Sequence, residues 1–488
     1  MNVEKELKAL FSPGTRRVLE TLNNAGYEAY VVGGAVRDML IGREPKEFDV
    51  CTDACPKAVL ELAAANNIKA YRKGVAFGVV SWLVDGEEIE IATFRTELYG
   101  ADSHRPEQVE FVWALEDDLA RRDFTINAMA MNLKGRLIDP FGGREAIRRG
   151  IIEAVGDPEE RFAEDALRMF RGCRFVAEYG FRLEERTKAA IPKVLWRVGG
   201  LSVERVRDEL EKILLAPHVR DGLQALLETG LLRTTCRSRG EGVEINADVL
   251  PEVAALAGVP QNPRYHCCDV WGHTLEVVAN TPPVSVLRWA ALLHDVAKGT
   301  DGVRGVNKDN QPTDYGHAKA GGRMAEQILL RLRVSPLVAT RAAWLVTHHM
   351  GFPGLEEENV IRWLKKFAPH FRNRELLAEA VEQLLVLRRA DTLGAKADPE
   401  PVLDQTDRLE KMVKDILESV PFYPEDLDIS GGEVATVVGR GPQVKQILED
   451  LVVRVQKKQL PNRKDELRQA VRKKVWRLQN RADVRRKQ

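Results

Sequence analysis

The sequence has few cysteines and no long apolar run. Six cysteines occur among 488 residues, and no two of them form a C-x-x-C pair. A disulfide-rich secreted scaffold and a zinc site with that spacing are therefore disfavoured. The opening, MNVEKELKAL, lacks an apolar signal core, and no stretch approaches the ~20 apolar residues of a membrane-spanning helix. These absences predict a reduced, cytoplasmic protein that does not cross a membrane.

The chain also lacks a net charge, an internal repeat and a low-complexity tract. Lys+Arg and Asp+Glu both number 73, so the total charge predicts no polyanionic partner. The charge is unevenly distributed, because residues 457–488 carry 13 basic and three acidic residues. This asymmetry indicates either a basic arm that contacts nucleic acid or a solvated basic helix.

The pattern of apolar residues changes along the chain. Residues 27–132 alternate short β-rich runs, such as FGVVSWLV and EEIEIATF, with helical ones, whereas from about residue 145 the apolar residues fall mainly at helical spacing. We therefore predict an α+β fold, with a mixed sheet and helices in an N-terminal head followed by all-α regions. Gly- and Pro-rich breaks place the predicted regions at 1–145, 146–235, 236–410 and 411–488.

A Gly-Gly turn has the features of a phosphate site. In YVVGGAVRDML an apolar strand precedes Gly33 and Gly34, and a helix is expected to open at Ala35. Glycines let a ligand approach the backbone, and a helix N-terminus offers free N–H groups to phosphate. Arg37 would add a bidentate contact. The same pattern is also common as a purely structural turn.

Two carboxylates follow one helix and one turn later. Glu47 and Asp49 stand two positions apart in KEFDVCT, among residues that favour strands. Side chains at i and i+2 of a strand share a face. Two carboxylates beside a phosphate cradle suit Mg²⁺, which prefers one or two carboxylates plus phosphate oxygens. The alternative is an ordinary solvated strand edge.

The segment VVGGAVRDMLIGREPKEFDVCTDA resembles the opening motif of the bacterial tRNA nucleotidyltransferases (CCA-adding enzymes) and poly(A) polymerases, class II. That family has aspartates at both carboxylate positions, and this chain departs from it with Glu47. The resemblance implies that Glu47 and Asp49 are catalytic and hold Mg²⁺. It also implies that Gly33, Gly34 and Arg37 bind the nucleotide.

A second motif follows in the family's order. DDLARRDFTINAMA (117–130) matches the motif that contacts ribose and triphosphate, which implies nucleotide-binding roles for Arg122 and Asp123. Three consecutive charges, beginning with Arg121, are unusual at the start of a buried helix unless each has a partner. A capped helix with exposed charges is the alternative.

The stretch RFAEDALRMFRGCRF bears on nucleotide choice. Asp165, Arg168 and Arg171 are spaced i, i+3 and i+6, which places all three near one face of a helix. A carboxylate and a guanidinium together could imitate the pairing edge of a base, although a salt-bridge ladder has the same spacing. In the family, the residues at the positions of Asp165 and Arg168 select C and A without a template. The resemblance implies that Arg171 holds the triphosphate, and LSVERVRDELEKILL resembles the family's neck helix.

Histidines are concentrated in the middle of the chain. Six of the nine histidines lie between residues 266 and 349. Together with a His-Asp pair and a distant aspartate, they resemble the metal site of the HD phosphohydrolases, whose ligand types suit several divalent metals. An inactive HD fold is the alternative. The implied ligands are His273, His294, Asp295 and Asp391, with His317, His349 and Lys298 as accessory residues.

Taken together, the resemblance implies a template-independent enzyme that builds the CCA end of tRNA from CTP and ATP. The expected cofactors are Mg²⁺ at the head and an unidentified divalent metal at the HD site. The expected partners are tRNA, CTP and ATP, with no DNA and no membrane. The four predicted regions then become a nucleotidyltransferase head, a base-recognising neck, an HD domain and a tRNA-binding tail with a basic arm. The alternatives are an A-adding or CC-adding enzyme, a poly(A) polymerase, or an HD hydrolase with a lapsed polymerase site. CC-adding members tend to lack a flexible segment that residues 96–110 match in position.

Overall fold

The computed structural model describes residues 11–72, 74–99, 106–240, 243–266, 268–395 and 398–486. Contacts divide the chain into two compact units. The finer division into four regions stays a prediction. The first unit comprises Met1–Ala255, Pro283–Ser285 and Ile328–Ser335, and the second comprises Leu256–Pro282, Val286–Gln327 and Pro336–Gln488.

A seven-stranded mixed sheet forms the centre of the head. Its strands are β1 (Ala29–Val32), β2 (Asp49–Thr52), β3 (Lys69–Tyr71), β4 (Val79–Val84), β5 (Glu87–Thr93), β8 (Ala130–Asn132) and β9 (Leu137–Ile138), and a separate hairpin contains β6 (Arg95–Tyr99) and β7 (Pro106–Phe111). The strand order is β3-β4-β5-β2-β1-β8-β9, in which β2 pairs parallel with β5 and antiparallel with β1. Between β6 and β7, residues 100–105 of the predicted flexible segment lie outside the described residues.

Both faces of this sheet are covered. Successive strand side chains point to opposite faces, so Val31 joins one core cluster, with Val18 and Leu22, and Val32 joins another, with Leu119. The helices that contribute to the head are α1 (Pro13–Asn24), α2 (Gly34–Ile41), α3 (Pro56–Ala65), α4 (Leu115–Ala120) and α5 (Gly143–Arg149).

The chain after the head is mainly helical, as predicted. Two small sheets interrupt it in the first unit: β10 (Ile151–Ile152) with β11 (Arg182–Leu183), and the hairpin of β12 (Thr235–Gly240) and β13 (Val243–Asp248). The second hairpin therefore lies at the predicted boundary between residues 235 and 236, and the chain after the head is not purely α-helical. The helices here are α6 (Pro158–Glu164), α7 (Leu167–Tyr179), α8 (Glu185–Val194), α9 (Val203–Leu215), α10 (Val219–Glu228) and α11 (Pro251–Ala254).

Ten further helices and one hairpin complete the described chain. The hairpin pairs β14 (Arg304–Val306) with β15 (Pro312–Asp314). The helices are α12 (Val270–Ala279), α13 (Ser285–Leu293), α14 (His317–Arg331), α15 (Pro336–His348), α16 (Glu357–Phe367), α17 (Arg374–Gly394), α18 (Glu400–Ser419), α19 (Gly431–Val438), α20 (Pro442–Gln456) and α21 (Lys464–Arg486). Among the described residues, no helix is long and apolar enough to cross a membrane.

Candidate active site and metal centre

The Gly-Gly turn connects β1 to α2. Gly33 has φ +68°, which favours glycine, and a Cβ at this position would lie 2.9 Å from Nη1 of Arg122. Glycine at residue 33 therefore makes room for the arginine. The helix begins at Gly34, one residue earlier than predicted, and its free N–H groups lie at the same end as the turn.

The two carboxylates lie in different local structures. Asp49 is the first residue of β2, whereas Glu47 precedes the strand, so the prediction that both lie in one strand was wrong. The pairing ends there because Asp49 is opposite Val32, the last residue of β1, after which the chain turns at the glycines. On the other side, Glu90 of β5 is the register partner of Asp49. Desolvation and the charges of Glu90 and Glu47 raise the pKa of Asp49, whereas the charge of Arg122 lowers it.

One cavity of about 540 Å³ brings the predicted nucleotide-site residues together. All ten of them line it, although the sequence places them up to 138 positions apart. Their individual roles stay predictions. The ten residues are Gly33, Gly34, Arg37, Glu47, Asp49, Arg122, Asp123, Asp165, Arg168 and Arg171.

The charged run after α4 is paired, as expected, but its position differs from the prediction. Arg121, Arg122 and Asp123 follow the end of α4 and do not begin a helix, because α4 already closes at Ala120. Asp118 in the last turn is fully buried and accepts from Arg121 Nη2 at 2.8 Å and from Arg122 Nη2 at 3.2 Å. Burial opposes its ionisation, yet the two arginines keep the pKa of Asp118 below its ordinary value.

Asp123 links the charged run to α7. Its carboxylate accepts from Arg171 Nε at 2.7 Å, from Asn127 Nδ2 at 3.0 Å and from the Phe124 N–H at 2.9 Å. Although burial raises the pKa of Asp123, Arg171 and Asn127 lower it to about 2. Asp123 and Arg171 are therefore both charged at neutral pH. Arg171, whose side chain is 35% exposed, lines the cavity.

Arg37 is buried and has several partners. Its Nη1 donates to Asn127 Oδ1 at 2.6 Å, and its Nε and Nη2 both donate to Asp38 Oδ1. The guanidinium also lies 4.7 Å from the ring centre of Tyr179. This arginine lines the cavity in a fixed position that aromatic and polar contacts maintain.

The predicted base-reading residues do not share a helix face. Asp165 lies between α6 and α7 with an extended backbone, φ −136° and ψ 105°, so its placement on a helix was wrong. The physical reason is a local bond, because its Oδ1 accepts from the N–H of Leu167 at 3.0 Å and ends the helical path. Arg168 and Arg171 do lie on α7. Arg168 is buried and donates to Glu164 Oε2 and to the carbonyls of Arg161 and Arg121.

Several cavity residues were missed from the sequence. Asn127 and Arg174 lie inside the quoted motifs, but their pairing with Asp123 and Glu209 depends on long-range contacts. Arg205 lies in the neck-helix motif, and no pattern in the sequence indicates that it reaches the cavity. The missed lining residues are Arg121, Asn127, Leu167, Arg174, Phe175 and Arg205.

The histidines predicted for the HD site converge in the second unit. In each histidine, Nδ1 lies within 3.1 Å of a backbone carbonyl oxygen. The pairs are His273 with Gly394, His294 with Ala291, His317 with Asp314, and His349 with Val346. A carbonyl only accepts, so each Nδ1 carries a proton, and Nε2 is the ring nitrogen left to face a metal. The histidine and aspartate of the His-Asp pair follow the end of α13 in a turn.

Asp295 lies at the centre of this cluster. Its Oδ2 is 3.2 Å from His294 Nε2 and 2.6 Å from Lys298 Nζ, and its Oδ1 is 3.3 Å from His317 Nε2. Asp391 completes one side, because its Oδ1 lies 3.0 Å from His273 Nε2. Two ligand sets share Asp295. They are His273, His294 and Asp295, and Asp295, His317 and His349.

The charges in the cluster fit a cation site. Burial opposes ionisation of Asp295, but His294 and Lys298 hold its pKa well below the ordinary value. Burial and the charge of His294 lower the pKa of His349 to about 4, so it is neutral at pH 7, the form that binds a metal. His348 packs against Trp344 and Phe367, away from these ligands. Imidazole nitrogens and ionised carboxylates together suit a divalent metal.

Three family descriptions match successive parts of the chain. "Poly A polymerase head domain" matches residues 29–153, "Probable RNA and SrmB- binding site of polymerase A" matches 180–235, and "HD domain" matches 264–396. The head match contains the glycine turn and both carboxylates, and the HD match contains the converging histidines. The chain therefore resembles, in succession, a poly(A) polymerase head, an RNA-binding region of polymerase A and an HD domain.

Curated CCA-adding enzymes match part of the chain. The CCA-adding enzyme of Lactobacillus helveticus is 49% identical over 214 residues, which are 44% of this chain and 53% of that protein. The CCA-adding enzyme of Geobacillus stearothermophilus is 47% identical over 214 residues, with 44% and 52% covered. These matches thus span about half the length of the curated relatives.

Solved structures of CCA-adding enzymes extend the similarity in fold. The Bacillus stearothermophilus CCA-adding enzyme in complex with CTP has a TM-score of 0.65 and 29% identity, with 97% of this chain and 100% of that chain covered. The Thermotoga maritima CCA-adding enzyme complexed with tRNA has a TM-score of 0.55 and 18% identity, with 97% and 99% covered, which shows a shared fold.

Proposed function

We propose that this protein adds CCA to the 3′ end of tRNA without a nucleic-acid template, using CTP and ATP and releasing pyrophosphate. The cavity of about 540 Å³ carries the proposal, because its wall holds both carboxylates, the glycine turn and the arginines of the family's motifs. The similarity to a CCA-adding enzyme in complex with CTP supports the same assignment. A cytoplasmic location belongs to the proposal because tRNA is the substrate.

Glu47 and Asp49 would hold Mg²⁺ beside the triphosphate. The fit rests on the donor set, since burial and the neighbouring carboxylates raise the pKa of Asp49, and a hard divalent cation would offset both effects. Bound there, the ion would lower the pKa of the terminal ribose hydroxyl and offset negative charge at the α-phosphate. Arg122 and Arg171 would hold the triphosphate by charge-assisted hydrogen bonds while the 3′ oxygen attacks and pyrophosphate leaves.

Asp165 and Arg168 would choose the nucleotide. A carboxylate accepts from the amino group that C and A share, and a guanidinium donates to ring nitrogen and carbonyl acceptors. Arg168 currently donates to Glu164, whose side chain is 32% exposed. Base reading then requires Arg168 to exchange this bond for one to the base, while its bonds to the two carbonyls keep it in place.

Nucleotide addition to a tRNA that lacks CCA tests the proposal. The purified protein is incubated with this tRNA and each labelled nucleotide, with and without Mg²⁺. We expect C to be added to the bare end, and A to be added to an end that already carries CC, in both cases only with Mg²⁺. Addition of A alone or of C alone would favour a specialised enzyme, and no addition would favour a lapsed polymerase site.

We also propose a second activity, in which the HD site acts as a metal-dependent phosphatase or phosphodiesterase on RNA ends or small nucleotides. The two ligand sets that share Asp295 would hold divalent metal, which would supply an activated water for hydrolysis. Lys298, 2.6 Å from Asp295, would neutralise charge on a phosphate next to the metal. The test is metal analysis of the protein combined with hydrolysis of a phosphomonoester and a 2′,3′-cyclic nucleotide, with Mn²⁺, Ni²⁺, Co²⁺ or Mg²⁺ supplied in turn. If the protein bound metal but hydrolysed neither substrate, the HD site would have a structural role only.

A further inference from the structure

His266 is a fifth histidine beside the predicted metal ligands of the second unit. Its ring meets the ring of His273 nearly edge-on, and the ring centres are 4.8 Å apart. Its Nδ1 is buried and has no hydrogen-bond partner among the described residues, whereas its Nε2 is accessible. Within the described chain, His266 belongs to neither of the ligand sets that share Asp295. The ring therefore contacts the histidine cluster without completing a ligand set.

The nitrogens of His266 have the opposite arrangement from those of the four predicted histidines. In those four, a backbone carbonyl accepts from Nδ1, and Nε2 is left to face a metal. In His266, a proton on the buried Nδ1 would have no acceptor, which is costly. The proton of the neutral ring is therefore placed on Nε2. His266 thus offers an N–H donor on its accessible side, where the four predicted histidines offer a metal ligand.

The loop that carries His266 is fixed next to Lys298. Gln261, near the start of the loop, accepts from Lys298 Nζ at 2.9 Å. Its Nε2 donates to the carbonyl of Asp269 at 3.2 Å, which closes the loop. Lys298 also lies 2.6 Å from Asp295. The same set of bonds therefore holds an ammonium group and an imidazole N–H next to the cluster.

We propose that His266 binds the phosphate of the substrate in the HD site, through a hydrogen bond from Nε2–H to a phosphate oxygen. The inference rests on the proposed hydrolase activity and names a residue that holds its phosphoester substrate. A phosphate at the ligand sets presents several acceptor oxygens, and hydrogen bonds to charged oxygens are the strong ones. Lys298 supplies positive charge, and His266 supplies a directed bond. No proton is transferred, so the role of His266 is to hold and orient the phosphate.

His266→Phe keeps a ring against His273 and removes both nitrogens. The measurements are bound metal and kcat/KM for a phosphomonoester and a 2′,3′-cyclic nucleotide. We expect the metal content of the parent, which also shows that the site has folded, and a fall in kcat/KM of about 10- to 100-fold, as for one hydrogen bond to a charged group. His266→Gln, which restores an N–H near the position of Nε2, should recover part of the rate. Exposed His370→Phe is the control and should match the parent.

The outcomes separate phosphate binding from metal binding and from packing. Loss of metal in His266→Phe would make His266 a ligand, and an unchanged kcat/KM would make its ring contact a packing contact; either result would overturn the proposal. If the parent hydrolyses neither substrate, the proposed hydrolase function fails, and the affinity of the Mn²⁺-loaded protein for inorganic phosphate then decides the inference. The proposal predicts a Kd about tenfold or more higher in His266→Phe than in the parent. Equal affinities, or no binding to either protein, would contradict it.

Discussion

Glu47 is the residue at which this chain departs from the family's paired aspartates. It lies outside β2 yet lines the cavity with Asp49. If Glu47 is a metal ligand, Glu47→Ala and Asp49→Ala should each reduce nucleotide addition by a factor of 100 or more, about 3 kcal/mol of lost transition-state stabilisation. Glu47→Asp should keep or raise activity, because the loop before the strand allows the shorter side chain to adjust. The measurement is single-turnover addition of C.

A matched control separates ligand loss from loss of surface charge. Glu44 is exposed, lies three positions earlier and does not line the cavity. Glu44→Ala should retain the parent rate. Equal rates for Glu47→Ala and the parent would remove Glu47 from the metal site.

Asp123 is predicted to stabilise the head through its ionised form. Its folded-state pKa of about 2 lies below the ordinary value of 3.8. The stabilisation is therefore present above pH 4 and is lost as the pH falls from about 4 towards about 2. Asp123→Asn should lower the free energy of unfolding by about 2 kcal/mol at pH 7, and the difference from the parent should shrink at acidic pH. Urea unfolding at both pH values checks this, with exposed Asp117→Asn as the control; equal shifts in the two variants would contradict it.

At the scale of elements, the segment that joins α6 to α7 is predicted to choose the base, and the segment after α4 is predicted to bind the triphosphate. Asp165→Ala should let UTP or GTP compete with CTP, a loss of discrimination of about 5- to 150-fold, while tRNA affinity stays near the parent's. Arg122→Ala should slow all four nucleotides alike, because a triphosphate contact is independent of the base. Misincorporation assays with each nucleotide make the comparison. If Asp165→Ala slowed the addition of all nucleotides equally, Asp165 would have only a structural role before α7.

Sequence patterns predicted elements and motifs better than the details at their ends. The mixed sheet and the later helices follow from alternating and helical apolar spacing, as in β4 and β5. The errors occur at the ends of strands and helices. Glu47 lies before its strand, Asp165 lies before its helix, and Arg121 follows a helix that it was expected to begin. Such ends depend on a single local bond or on where a partner strand stops, and apolar periodicity does not report either.

The metal and nucleotide sites show the same limit. The motifs identified residues that line one cavity, and the converging histidines were likewise found from the sequence. The carbonyl that fixes the His273 tautomer was not predictable, because it belongs to Gly394 at the end of α17, 121 positions away in the sequence. The approach of Arg205 to the cavity was hidden for the same reason.

At the scale of the whole molecule, the two sites use separate ligand sets. The carboxylates of the cavity belong to the first unit, and Asp295 and its histidines belong to the second. Asp295→Ala should therefore remove bound metal and any phosphatase or cyclic phosphodiesterase activity, and should leave addition of C and A within about twofold of the parent. Exposed His370→Ala is the control. Loss of both activities together would mean that the HD site supports the head structurally.

The sequence of the product's 3′ end tests the central claim most directly. A tRNA that ends at the discriminator base is incubated with the protein, Mg²⁺ and all four nucleotides, and the products are sequenced. The account predicts that most extended molecules end in CCA, with Asp49→Ala giving no extension. A run of A residues, an end at CC, or A added directly to the bare end would contradict it.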